Sequence, residues 1–455
     1  MARSSPIRVL VLFPGEWDSD ALTQLEQEGF ATLYVEGFDV RKFPQSLRAV
    51  WFDALRFLDR LERRYRGRID AVWSNDEQWG CLLAAMLAER LELPGTSPEV
   101  VVRCQHKLLM RRTLEQELPT TTVPAAALPL PLGDARWRDT RQLERAVSQT
   151  GLAWPLFCKP IKGTFSVLAR RVESAPSLAA HMRLTATDRF VLRRLIKPFQ
   201  SLAATIAELP CPSDCLIVEQ PIRGQQVNVD GYAINGTFHI AGVVDEWTYG
   251  DTPNDHHFMG FTYPSRTSNA VHCKATETAA LAMRAMGFAN GQFNVELFVL
   301  ADGSVRIVEI NPRAAAQFTT LYRDVDGRSL ARDGLWLAAG RDPAELPHAR
   351  PQAAVAASIV WRRFDGSGIP AASGKGRRWL AKAHPNARLW LDATDRHSVQ
   401  RQYRWLGSYR GAVLNCSGSD FAELQALGHE CGRRLFGPGA PQPVIVSRSP
   451  RRVGS

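Results

Sequence analysis

Two strand-like runs, residues 293–300 and 305–313, flank Asp302-Gly303, and each carries one glutamate among apolar neighbours. Asp-Gly between such runs is a strong two-residue hairpin signal, which pairs Ala301 with Ser304. In that register Glu296 faces Glu309 and Asn294 faces Asn311. Directly opposed residues on one face have Cβ atoms about 4.5–5.5 Å apart, where like charges destabilise the pair. Val295, Leu297, Phe298, Ile307, Val308 and Ile310 make the surroundings apolar. Two carboxylates so placed must share a proton or hold a cation. Oxygen-only donors that include an Asn carbonyl suit magnesium. A paired-carboxylate general acid fits the same geometry.

The chain around this hairpin has 455 residues, too many for one ordinary core. Its first hundred alternate strand and helix: strands at 7–13, 32–35 and 71–74, helices at 17–28 and 78–91, and a long amphipathic segment at 44–66. Short buried strands separated by helices imply a parallel sheet with crossovers. The first turn, Pro14-Gly15-Glu16-Trp17, lacks the glycine fingerprint of dinucleotide binding. Open sheets of this kind bind ligands beyond the carboxyl ends of their strands, which makes Asn75, Asp76 and Glu77 candidates to meet a substrate. Their plain alternative is helix capping.

A helix is expected over 97–117, a Thr, Pro and Ala-rich connector over 120–134, and an α+β segment to about 218 centred on Leu156-Phe157-Cys158-Lys159. Strands follow at 216–220, 226–234 and 237–244, then a loop at 247–259, a helix at 271–286, the hairpin and helical residues 329–340. The expected units are 1–103, 104–218, 219–345 and 346–440, with a basic flexible tail at 441–455.

The net charge of +10 raises nucleic acid as a partner. The basic residues, however, alternate with acidic ones, as in Arg60-Leu61-Glu62-Arg63-Arg64, the pattern of a solvated face, and only Ser447-Arg448-Ser449-Pro450-Arg451-Arg452 reads as a basic arm. Without an apolar run of about 20 residues or a signal-peptide pattern at Met1-Ala2-Arg3-Ser4-Ser5-Pro6, a cytoplasmic protein with no membrane partner is expected. The eight cysteines lack zinc-site spacing and are read as free thiols, Cys211 and Cys215 being the closest pair. Residues 251–266, with His256, His257, Tyr263, Ser265 and Arg266, have the size and polarity of a substrate lid. Its histidines are read as solvent-exposed, with a base for an amine as the alternative.

The string Glu309-Ile310-Asn311-Pro312-Arg313, with Glu296 on the preceding strand, resembles the signature of the ATP-grasp superfamily, which includes biotin carboxylase, purine ligases and L-amino-acid ligases. Three further segments match in order: His106-Lys107-Leu108-Leu109-Met110-Arg111, Phe157-Cys158-Lys159-Pro160, and Val218-Glu219-Gln220-Pro221-Ile222 before Gly224. The resemblance spans about residues 97–345. It implies an ATP-grasp fold, α/β and α+β, with an open parallel α/β domain ahead of it and an α+β domain behind.

By the same resemblance, Glu296, Glu309 and Asn311 hold Mg²⁺, or Mn²⁺ in its place, and Arg313 contacts the reacting phosphoryl group or substrate. Lys107, Lys159 and Ser166 contact the ATP phosphates, and Lys162 and Thr164 of the same loop could help to cover them. Glu219, Gln220, Ile222 and Gln226 line the nucleotide site, Glu219 and the hinge backbone reading the adenine amino group. The implied reaction activates a carboxylate as an acyl phosphate and joins it to an amine, on an amino acid or related small metabolite. Homodimers are common among such proteins. The alternatives are an ATP-dependent carboxylase and a nucleotide-binding regulatory protein without turnover. This chain departs from the pattern in its loop Ile161-Lys162-Gly163-Thr164-Phe165-Ser166-Val167, with one Gly, and in Ala314-Ala315 after Arg313.

Overall fold

The computed structural model describes residues 6–39, 45–249 and 257–445. Strands β1 (Ile7–Leu12), β2 (Ala31–Glu36) and β3 (Ala71–Trp73) form a parallel sheet in the order β2-β1-β3, as their apolar runs and intervening helices imply. Its core continues into the helix Gly80–Arg90, buried over nearly all its length. The amphipathic segment ahead of β3 divides at Asp53, whose side chain accepts from the Arg56 N–H and starts the helix Ala54–Tyr65.

A second, antiparallel sheet runs β4-β7-β5-β6, from β4 (Ala125–Leu128), β5 (Leu156–Pro160), β6 (Arg170–Val172) and β7 (Leu216–Glu219). β4 corrects the expected connector. Its Ala-rich sequence has little strand preference of its own, and pairing with β7 along its whole length decides the conformation.

The third sheet holds β8 (Gln225–Ile234), β9 (Thr237–Thr248), β10 (Phe258–Tyr263), β11 (Gly291–Val299), β12 (Val305–Asn311), β13 (Val355–Arg363), β14 (Arg388–Leu391) and β15 (Tyr409–Gly418). Their order is β12-β11-β8-β9-β10-β13-β15-β14, so the strands after residue 346 extend the sheet that carries the hairpin, through β10 and β13. Alternation along β8 assigns its faces. Val227 and Val229 join Val295, Leu297 and Ile310 beneath the helix Asn269–Ala285, while Asn228 and Asp230 bond to residues of the opposite face.

The helix expected over 97–117 is two, Pro98–Gln105 and Lys107–Glu117. His106 between them leaves helical geometry, with φ −88° and ψ 95°, and caps the second helix. Its Nδ1 accepts from the Leu109 N–H at 3.4 Å and its Nε2 lies 3.1 Å from the Cys211 carbonyl. Burial pushes the imidazole down to about 4, so it stays neutral and able to accept. Lys107 thereby begins a helix at the junction of the second and third sheets.

His256 and the tail from 446 lie outside the described residues. His257 is buried at the start of β10, its ring 5.2 Å from that of Phe364, which corrects its reading as an exposed lid residue. All eight cysteines are free thiols, and only Cys273 is exposed. Among the described residues no helix is long and apolar enough to cross a membrane.

Candidate active site

The hairpin reaches the expected pairing by another route. Gly303 takes a left-handed conformation, φ 75°, in a three-residue loop closed by the Leu300 N–H donating to the Ser304 carbonyl at 2.8 Å. The pairs nearest the loop, Val299 with Val305 and Leu297 with Ile307, are therefore one residue off the two-residue-turn register. A bulge at Val308 restores it, so that Glu296 does face Glu309 and Asn294 does face Asn311. The bulge also presents carbonyls to cations. Arg111 donates to Ile307 O at 2.5 Å and to Val308 O at 3.0 Å, and Lys159 Nζ lies 3.4 Å from Val308 O.

Around the hairpin three carboxylates are matched by cations. Lys107 Nζ is 2.7 Å from Glu309 Oε1, and Arg313 Nη2 is 2.5 Å from Glu77 Oε2. Glu219, buried on β7, takes Arg111 at 2.8 Å and Lys159 at 3.1 Å. Burial opposes the charge on Glu219, yet those two cations hold its carboxyl down to about 2. Its side chain is thus held by two cations between β7 and the hairpin. Burial likewise works against charge on Lys107, but Glu309 and then Glu77 raise its pKa. On Lys159 burial prevails and lowers it.

Glu296 is bonded without an ion pair. Gln226 Nε2 donates to it at 3.2 Å, and the Asn311 NH2 group donates either to it at 3.3 Å or, with the amide turned over, to both Glu77 oxygens at 3.2 Å. Burial, then the charge of Glu309, push Glu296 up to about 7. Next to it Glu246 on β9 accepts from Asn228 at 3.0 Å and is pushed up to about 8, by burial and then by Glu296. Asp230 accepts from Asn294, the Ala315 N–H and Tyr322 at 3.0–3.4 Å, which anchors the segment after Arg313; burial raises it to about 6.

Arg111, Glu246, Asn228 and Asp230 also join this cluster, and the sequence reading gave none of them a role. The polar-apolar alternation Gln226-Val227-Asn228-Val229-Asp230 was a usable signal for two of them. Arg111 sits four residues after Lys107, one helical turn along, and faces the same junction.

Other expected residues lie at the margin. Gln220 donates from its side chain to Ala153 O at 3.3 Å and from its backbone to Pro124 O at 3.1 Å. It and the half-buried Ile222 stand in the segment joining β7 to β8. There a Cβ on Gly224 would come within 2.2 Å of Val299 O, so hinge and hairpin touch. Ser166 is exposed in a turn where Phe165, Ser166 and Leu168 all have φ 56°. Of its loop, Lys162 and Thr164 are buried and bonded to the first domain, Lys162 to Glu77 O at 2.7 Å and Thr164 to Gln78 at 2.7 Å. Those two side chains pin the loop down, where the sequence left them free to cover phosphates.

The donor set suits a hard divalent cation. Glu296, Glu309 and Asn311 offer oxygens on one face, and among the described residues Glu296 makes no ion pair. Among the described residues no three His, Cys, Asp or Glu side chains gather as a metal cluster; the set here is two glutamates and an asparagine.

Residues 152–321 match the model of the ATP-grasp domain family. Over nearly its whole length the chain is similar in fold to an L-amino acid ligase from Bacillus licheniformis, with a TM-score of 0.67, 16% identity and coverage of 95% of this chain and 98% of that one. An N5-carboxyaminoimidazole synthase from Aspergillus clavatus, solved with ADP and 5-aminoimidazole ribonucleotide, gives 0.60, 14%, 94% and 98%. A biotin carboxylase from Campylobacter jejuni gives 0.57, 13%, 95% and 92%. Comparison with curated proteins returns no match.

Proposed function

We propose that the chain, whose residues 152–321 match the ATP-grasp domain family, is an ADP-forming ligase that joins a carboxylate to an amine through an acyl phosphate. The observation that carries the reading is the convergence of Lys107, Lys159 and Arg313 around a hairpin that sets Glu296, which makes no ion pair among the described residues, opposite Glu309 and beside Asn311. Such a site is complementary to a triphosphate carried with a divalent cation.

Lys107 and Lys159 hold the phosphates, and the segment 219–226 lines the base. Glu296, Glu309 and Asn311 would hold Mg²⁺, or Mn²⁺, which supplies neutralisation of phosphate charge. The protein contributes chiefly positioning and fixed charge, as phosphoryl transfer requires. Arg313 steers the acid's carboxylate toward the γ-phosphorus; the carboxylate oxygen takes the phosphoryl group and ADP leaves. The amine then attacks the carbonyl carbon, phosphate departs with the C–O bond, and the amine's proton is lost to solvent or a neighbouring base. Arg313 steadies the developing oxyanion. The substrates are an amino acid or related small metabolite and an amine, handled in the cytoplasm, with a homodimer as the working assembly.

ADP and phosphate release over a panel of acids and amines tests this, with hydroxylamine replacing the amine to trap a hydroxamate. AMP and pyrophosphate as products would remove the acyl-phosphate route. Release of no nucleotide product would favour a binding protein, and a bicarbonate requirement would favour a carboxylase.

A further inference from the structure

The pair between Glu77 and Arg313 joins the first domain to the signature segment, and the surrounding bonds isolate it. Asp76 does the capping at the start of the next helix, accepting from the Trp79 and Gly80 N–H groups at 2.9 and 2.8 Å, which leaves the Glu77 carboxylate for the site. Lys162 bonds to the Glu77 carbonyl and Lys107 to Glu309, so the cation in contact with the Glu77 carboxylate is Arg313. With its NH2 turned to Glu77, in place of its 3.3 Å donation to Glu296, the Asn311 amide donates to both Glu77 oxygens at 3.2 Å and fixes the carboxylate beside the hairpin. Both charged groups are mostly buried, with side-chain exposures of 11% and 17%.

A carboxylate that engages Arg313 must loosen this pair. A simple acid would strand Glu77 with its charge unmatched, and a simple amine drawn to Glu77 would strand Arg313; an uncompensated buried charge is strongly disfavoured. An α-amino acid carries both complements one carbon apart. Its ammonium can take Glu77 while its carboxylate takes Arg313, so one internal pair becomes two and no charge is left over. Arg313 also borders a cavity of about 70 Å³ lined by Trp73, Ala84 and Leu337 together with Ser74, Thr96 and Gln292, a space of mixed polarity for a side chain.

We infer that Glu77 is a specificity-determining residue: together with Arg313 it selects an α-amino acid, in its zwitterionic form, as the acid to be activated. The inference rests on the ligase reading above and adds to it the residue that recognises the ammonium group.

The test compares α-amino acids with their deaminated acids and decarboxylated amines, for example leucine with 4-methylpentanoate and isopentylamine. By calorimetry on the wild-type protein the zwitterion should bind at least about tenfold more tightly than either half, about 1.4 kcal/mol. In ADP-release assays with hydroxylamine as acceptor, Glu77→Gln should narrow the preference for the amino acid over its deaminated acid at least tenfold. The change should fall on the KM of the amino acid, with the KM of ATP unaltered. Equal wild-type binding of the amino acid and its deaminated acid, or an undiminished preference in Glu77→Gln, would overturn the inference and leave the ligase reading standing. Wild-type protein that releases no ADP with any acid would remove both.

Discussion

Lys107 Nζ stands 2.7 Å from Glu309 Oε1, on the carboxylate that the hairpin sets opposite Glu296. Of the two opposed glutamates, then, one has a cation and the other is held near neutrality by burial. Replacing them should have unequal effects on the nucleotide-free protein. Glu309→Gln takes the nearest carboxylate from a buried lysine, and breaking one side of a buried pair costs about 3–5 kcal/mol. Because Glu77 also acts on Lys107, we expect the lower end of that range. Glu296→Gln should be neutral or stabilising. Urea denaturation of the two variants measures both, and the opposite ranking would show that the charge assignment is inverted.

A pH dependence follows from the same face. Glu296, Glu246 and Asp230 are raised to about 7, 8 and 6, each chiefly by burial, from ordinary values near 4. These three groups bind more protons in the folded protein than in the unfolded chain between about pH 4 and 8; His106, held down to about 4, offsets one of them below about pH 6.5, and the remainder makes stability fall as pH rises. Without nucleotide or divalent cation, the protein should lose at least about 1.4 kcal/mol between pH 5 and pH 8, which corresponds to a tenfold change in a single proton-binding constant. Glu246→Gln should flatten the slope. A stability that rises with pH over this range in the wild type would contradict the burial of these groups as charged-form penalties.

Arg111 ties three elements together through Glu219 on β7 and the Ile307 and Val308 carbonyls of the bulge. Arg111→Met should cost about 3 kcal/mol or more, since it bares the Ile307 carbonyl and leaves Glu219 and Val308 O to Lys159 alone. Arg111→Lys should recover little of this, because an ammonium cannot reproduce the guanidinium fork. Turnover should fall as well, at temperatures where both variants remain folded, because the bulge sets the direction of Glu309. A variant with full stability and full activity would make Arg111 a bystander.

The polar half of the site was legible where chemistry sits in short strings: the hairpin glutamates, Asn311-Pro312-Arg313, and the lysines at 107 and 159. What escaped was set by partners distant in sequence. The break at His106 depends on a carbonyl at Cys211, and β4 exists because β7 pairs with it. The hairpin register was right for a reason the string did not contain, since the longer loop at Gly303 and the bulge at Val308 offset each other. Glu77 looked as much like a helix cap as a site residue until Asp76 was seen to do the capping.

Lys107 and Lys159 permit a sharper test of the phosphate assignment, because their surroundings differ once each is removed. Lys159→Met leaves Glu219 with Arg111 at 2.8 Å, so the buried carboxylate keeps a cation and the nucleotide-free fold should change little. Lys107→Met leaves Glu309 and Glu296 face to face without that cation, so that their repulsion should grow as both become charged. This variant should be less stable at pH 8 than at pH 6 by a wider margin than the wild type. Both should weaken ATP binding or turnover at least about tenfold, about 1.4 kcal/mol. Kinetics with ATP as the varied substrate, set beside melts at the two pH values, separate the roles. If either lysine is replaced with no kinetic effect, that lysine is a structural counter-ion, and the phosphates must be held elsewhere along the cleft.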